Sequence, residues 1–138
     1  MKKEILDLIR RGVALPATPL ALTPERTFDA LRQKVLMRYY VDAGAGGVAV
    51  GMHFTQFEIR NPGVGLFEPV LRTCAEELDR LSDDRGRPLI KIAGINGLTT
   101  DALRQAELAK DLGYDCAIIS MAAFGPNALE QDMLHHVR

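Results

Sequence analysis

An α/β fold built on a parallel sheet is what this 138-residue sequence predicts, and three observations predict it. A short apolar, β-branched run recurs four times, at residues 12–18, 47–52, 89–95 and 116–122. A glycine or proline turn follows each run. An amphipathic helical pattern then follows, at residues 24–43, 66–82, 99–112 and 127–137. Strands alternating with helices of this length form parallel sheets, whose sites lie beyond the strand C-termini. A complete eight-unit barrel takes about 250 residues, so four units describe either a small open sheet or half of a barrel.

The first element is a short helix at the N-terminus. Residues 1–11 begin with a basic pair, but acidic residues interrupt the apolar positions and no small-residue cleavage site follows, so a signal peptide is not expected. Gly12 after Arg10 and Arg11 is a natural helix stop. In the first strand, Pro16 lacks a ladder donor and belongs near a strand end or an irregularity. Thr23, Pro24 and Glu25 then form a helix-start signal of hydroxyl cap, first-turn proline and first-turn acid. Phe28, Leu31, Val35 and Tyr39 step by three or four and are expected to form the buried stripe of this helix.

Gly44 to Gly47 end that helix and feed the second strand. The connection 51–65 is the least regular part of the chain, with a turn at Asn61-Pro62-Gly63, and loops of this kind carry function on such scaffolds. Phe67, Val70, Leu71, Cys74, Leu78 and Leu81 make the stripe of the next helix. In the third unit Thr99 or Thr100 is the expected cap, with Leu103, Ala106, Ala109 and Leu112 facing inward. In the fourth, Asn127 with Glu130 three residues on has the form of a capping box.

Composition narrows the function classes. Hydrophobic residues make up 47% and charged residues 25% of the chain, an ordinary balance for one globular domain spanning residues 1–138. A net charge of −1 gives no electrostatic case for nucleic acid or an anionic membrane. The absence of Trp removes a common stacking platform. No apolar run approaches the ~18 residues of a membrane span. Cys74 and Cys116 are far apart in apolar surroundings and read as reduced core residues, which suits a cytoplasmic protein.

Several segments together resemble the dihydrodipicolinate synthase / N-acetylneuraminate lyase family. They are residues 12–19, with the strand ending in Thr18-Pro19; Phe28-Asp29-Ala30-Leu31; residues 42–51, running through the glycines into the second strand; residues 88–95 with Thr99-Thr100-Asp101-Ala102; and residues 109–119. Their order and spacing fit over nearly the whole chain. The resemblance implies a (β/α)8 TIM barrel, of which this chain covers about the first four βα units. It also implies lyase or aldolase chemistry through a Schiff base between a lysine and pyruvate or a related 2-keto acid. That chemistry uses an amine nucleophile, a proton shuttle and donors for the carboxylate. No cofactor and no metal are expected, and a homo-oligomer is.

The sequence departs from the family pattern at three places. The family's loop after the second strand reads Gly-Thr-Thr-Gly-Glu; here Gly51 matches and is followed by Met52-His53-Phe54-Thr55-Gln56. The family's tyrosine after the fourth strand is replaced by Met121-Ala122-Ala123-Phe124. The Schiff-base lysine of the family lies on a later strand, beyond residue 138. The chain by itself is therefore expected to show no turnover. A second reading is a half barrel that self-associates, two copies rebuilding eight strands as a structural or small-molecule-binding unit.

The candidate substrate-binding residues are Thr18, Gly51, His53, Thr55 and Asn96, all placed at strand C-termini. His53 is also a weak catalytic candidate, because an imidazole titrates near neutrality. Thr55 and Gln56 are candidate donors to a carboxylate or carbonyl. Thr18 and Asn96 each also have a plain turn role, before Pro19 and before Gly97. Lys91, within an apolar strand, would line the pore if it faced inward and would snorkel between helices if it faced outward. His135 and His136 are adjacent on a helix and point to different sides, which does not suit a zinc site. The glycines at 44–47 precede a strand, the wrong context for a dinucleotide-binding loop.

Overall fold

A computed structural model describes residues 2–137 of the chain. Its elements run α1 (Lys3–Arg11), α2 (Ala30–Asp42), β1 (Gly47–Val50), two 3₁₀ turns (His53–Thr55 and Phe57–Arg60), α3 (Phe67–Arg85), β2 (Ile90–Ile95), α4 (Thr99–Asp111), β3 (Cys116–Ile119) and α5 (Glu130–His136). The sheet has the order β1-β2-β3, all parallel. Gly47 to Val50 lie opposite Ile90 to Ala93, and Ile92 to Ile95 opposite Cys116 to Ile119.

The first apolar run does not form a regular strand. It follows β1 as an edge segment with a single parallel bridge, Ala17 to Ala49. The amide of Gly46 donates to Ala14 O (3.0 Å), that of Ala49 to Pro16 O (2.9 Å) and that of Thr18 to Ala49 O (3.0 Å). Pro16 faces β1 without a donor, so the ladder skips a rung there. Counting this segment, four parallel strands lie side by side in chain order.

The two faces of the sheet differ. Val48, Val50, Ala93 and Ile95 pack against α2, α3 and α4. Ala49, Ile90 and Ile92 face the other way, with Val13, Leu15, Ala17, Met52 and Cys116, and among the described residues Ile5 and Leu8 of α1 pack against them. Crossover helices on one face with strands in sequential order describe a curling barrel wall. A doubly wound sheet puts helices on both faces. The inner face is the one a barrel wall turns inward, and α1 packs against it through Ile5 and Leu8.

Helix boundaries correct several sequence expectations. The helix expected from residue 24 begins at Ala30. Thr23 to Thr27 instead form a closed turn with Arg26 at φ +62°, and Asp29 is the cap, its carboxylate accepting from the Arg32 amide at 2.9 Å. The buried face of α2 is Gln33, Met37 and Val41; of the expected stripe, Leu31, Val35 and Tyr39 are 71%, 50% and 65% exposed. Thr99 does not cap α4; its hydroxyl meets His136 Nδ1 at 3.0 Å. On α4 the buried residues are Ala102 and Ala109, while Leu103 is exposed. The proposed capping box at Asn127 is also absent: α5 starts at Glu130 and Leu129, in cap position, makes no side-chain bond. In α3 the expected stripe is buried throughout, and Cys74 and Cys116 are unbridged.

Glu77 joins α2 to α3. Its carboxylate accepts from Arg38 Nε at 2.7 Å and from Arg80 Nη2 at 2.7 Å, and it is buried. Burial pushes this carboxyl upward, but the hydrogen bonds and charges of Arg80 and Arg38 outweigh burial and hold it below the usual 4.5. A folded carboxyl held below its unfolded value stabilises above the unfolded value, and that contribution is lost as pH falls. Both arginines are half exposed, so the contribution is about 1 kcal/mol. Urea midpoints at pH 7 and pH 3.5 check this: Glu77→Gln loses stability at pH 7 and has a shallower acid dependence than the parent. Identical slopes would sink the assignment.

Candidate functional site

The C-terminal ends of the edge segment and β1 meet at a buried hydroxyl junction. Gly51 ends β1 at φ +80°, a conformation glycine adopts without the Cβ penalty. This turn directs the chain into the His53–Thr55 3₁₀ turn. Thr55 points back into it: its Oγ1 donates to Thr18 O at 2.7 Å and accepts from the Gly51 amide at 3.0 Å. Thr18 Oγ1 accepts from Gln33 Nε2 at 3.0 Å. The same Gln33 nitrogen donates to Pro19 O at 3.2 Å, and its Oε1 accepts from the Ala21 amide at 2.9 Å. Thr18, Gln33 and Thr55 are all fully buried.

The structure thus brings Thr18, Gly51 and Thr55 together, as the sequence placed them, with a changed role. The Thr55 hydroxyl, expected to be a substrate donor, spends its proton on Thr18 O. It ties the first strand end to the second. Thr55→Val is isosteric but leaves the Gly51 amide and the Thr18 carbonyl without this partner. The expected loss is about 1–3 kcal/mol, read as a lower urea midpoint, whereas Thr55→Ser retains most of the stability. Equal stability of the Val and Ser variants would contradict the brace.

His53 is separate from this junction. It is exposed, with its ring edge-on to Phe57 at 5.3 Å between centroids. Asn96 lies at the next strand end, in a second cluster centred on Arg60. Arg60 Nη2 donates to Gly51 O at 2.9 Å and to Gly94 O at 2.8 Å, and its Nε donates to Gln105 Oε1 at 2.7 Å. Gln105 also bridges Asn96, accepting from its amide at 3.1 Å and donating to its carbonyl at 2.5 Å. The Arg60 guanidinium lies 4.4 Å over the Phe67 ring. Burial lowers its pKa to about 10, which leaves it a cation at neutral pH. A cleft of about 590 Å³ opens beside it, lined by Phe57, Arg60, Asn61, Asn96, Asp101 and Gln105 among others.

Gln33, Arg60 and Gln105 carry no motif signal. Gln33 lies on the face of α2 opposite the apolar stripe read from the sequence. Arg60 is one basic residue in an irregular loop. Only the approach of two strand ends gives these side chains their partners.

Lys91 faces outward and its Nζ lies 2.5 Å from Asp79 Oδ1 on α3, so it does not line the interior. Ile90 and Ile92 on either side face inward. In the tyrosine-free stretch after β3, Phe124 lies edge-on to His136 at 5.0 Å. Among the described residues no three His, Cys, Asp or Glu side chains are grouped to hold a metal ion. No described helix is long and apolar enough to cross a membrane.

No protein-family model and no curated protein matches the sequence. Solved structures do. The dihydrodipicolinate synthase from Bacillus clausii is similar with a TM-score of 0.72 at 18% identity, over 91% of this chain and 40% of that one. A dihydrodipicolinate synthase variant described as the first monomeric one gives 0.73 at 14%, over 95% and 41%. YagE, a prophage protein from E. coli K12 belonging to the dihydrodipicolinic acid synthase family and seen in complex with pyruvate, gives 0.64 at 15%, over 76% and 33%. The chain spans no more than about two fifths of the length of each. Sequential parallel strands, crossover helices on one face and these likenesses agree: the chain has the fold of the first part of a dihydrodipicolinate synthase TIM barrel.

Proposed function

We propose that this chain supplies the N-terminal half of a 2-keto-acid lyase or aldolase barrel, residues 1–138 forming one side of its mouth. The observation that carries this reading is the junction at Gly51. There the ends of the first two strands are tied by Thr18 and Thr55, next to an inner face of small and apolar residues (Ala17, Ala49, Met52). In this reading Thr18 and Thr55 position the Gly51–His53 backbone, His53 stands exposed on the turn that follows, and Asn96 belongs to the adjoining strand end. The pyruvate of the YagE complex supports a keto acid as ligand. Lys91 is tied to Asp79 outside the sheet, so the Schiff-base amine comes from elsewhere in a complete barrel.

Two measurements on the same sample test this. Incubation with pyruvate and borohydride followed by mass spectrometry is expected to leave the chain unmodified, and an adduct on Lys91 would overturn the assignment of that residue. Amide shifts on titration with millimolar pyruvate are expected at Gly51, Met52 and His53. A saturating titration that moves none of them would sink the keto-acid reading.

A further inference from the structure

In a barrel, the side chains that touch a substrate come from the C-terminal ends of the strands. At the mouth of this sheet, polar and apolar groups are sorted by side. The polar ones at the ends of the edge segment, β1 and β2 are engaged by protein partners, most of them toward the helices. Thr18 Oγ1 is held by Gln33 of α2. Thr55 Oγ1 is committed to the Thr18 carbonyl and the Gly51 amide. Arg60 lies over Phe67 of α3 and bonds Gln105 of α4 and both strand-end carbonyls. His53 leans its ring on Phe57, which lines the cleft beside Arg60.

The interior side of the same strand ends carries Ala17, Ala49 and Met52. Gly94 shares the inward side of β2 with Ile90 and Ile92, because successive residues of a strand alternate faces. It has no side chain, and Met52 uses the space: a methyl group on Gly94 would lie 2.6 Å from the Met52 Sδ. The half-buried Met52 thioether therefore lies across the end of β2. Its place is set by β1, the turn at Gly51 and β2. By the same alternation, Ser120 brings an inward hydroxyl one strand further round, where it accepts from the Ala122 amide at 3.3 Å.

We infer that the 2-keto acid taken at this mouth carries an alkyl or aryl substituent, and that Met52 is the residue that selects it. The inference rests on the keto-acid reading above and names its substrate class. A hydroxyl or charge on the substituent would lose water against Met52, Ala49 and Ala17 and gain no partner in exchange. An apolar substituent gains by leaving water at the same wall. A thioether is unbranched and polarisable, so it adapts to chains and rings alike. Exchanging a methyl for a hydroxyl against such a wall changes affinity by about tenfold or more.

Shift titrations of the chain, read at the Met52 methyl and the Gly94 amide, test this. The ligands are pyruvate, 4-methyl-2-oxopentanoate and 4-hydroxy-2-oxopentanoate, the last two differing by a methyl for a hydroxyl. The methyl-branched acid is expected to bind about tenfold tighter than the hydroxylated one. Met52→Thr is expected to abolish that preference, and Met52→Leu, apolar and of similar volume, to keep it. Equal affinity for the two acids in the parent chain would overturn the inference without any variant, while pyruvate shifts would leave the keto-acid reading standing. A preference that survives Met52→Thr, in a chain with unchanged circular dichroism, would remove Met52 as the selecting residue. 4-Methylpentanoate, which lacks the keto group, reads the opposite failure. If it binds as tightly as its keto acid while pyruvate moves nothing, the keto-acid reading falls and only the apolar wall remains.

Discussion

Gly47→Ala is expected to abolish stable folding, with a loss of at least about 3 kcal/mol. Gly47 opens β1 opposite Ile90, and a methyl group there would lie 2.6 Å from the Ile90 Cβ and drive into the Ile90 carbonyl oxygen. The obstacle is mainly backbone of the central strand. Relief requires β1 and β2 to separate, and both are buried on both faces. Thermal unfolding followed by circular dichroism is the measurement. A midpoint within a few degrees of the parent would mean that the β1–β2 spacing is looser than described. Gly63→Ala is the control, because nothing lies within 4 Å of a methyl group there.

Arg60→Met is the second large expected loss, about 2–3 kcal/mol. Methionine keeps the apolar contact with Phe67 and removes the charge. Three hydrogen bonds vanish, to Gly51 O, Gly94 O and Gln105 Oε1. Bonds from a charged donor contribute about 1.5–3 kcal/mol each; removing the cost of burying the cation offsets part of their sum. The expected local effect is sharper than the global one. Gly51 and Gly94 end adjacent strands, so without the clamp the 51–60 loop loses hydrogen-exchange protection before the α3 core does. Unchanged exchange in that loop would rule out Arg60 as the clamp. Arg60→Lys is expected to recover little, because one ammonium lacks the planar fork that spans two carbonyls and a glutamine.

The repeating βα pattern and the α3 stripe were legible in the sequence because both are local. A strand of β-branched residues and a helix with one apolar face show their period without reference to neighbours. Gly51, Thr18 and Thr55 were legible as residues at strand ends. Their roles were not, because the Thr55 hydroxyl acts on a carbonyl 37 positions away.

The α2 face shows the limit most clearly. Leu31, Val35 and Tyr39 have the spacing of a buried stripe, yet Gln33, Met37 and Val41 are the buried ones. The amide of Gln33 is fully satisfied by Thr18, Pro19 and Ala21, which removes the usual cost of burying it. Lys91 is the matching case at the sheet. Strand alternation says only that it opposes Ile90 and Ile92; the sheet's curl, with α3 and Asp79 outside, decides which side that is.

By itself, then, the sequence determined the fold class, the order of its units and the strand ends where a site can form, since these depend on period and turn chemistry. Only the tertiary structure decided which apolar stripe is core and which is open, that Thr55 is a brace, and that Arg60 joins two strands. Each of those depends on partners distant in the chain, and a side chain's role follows from the groups that desolvate and bond it.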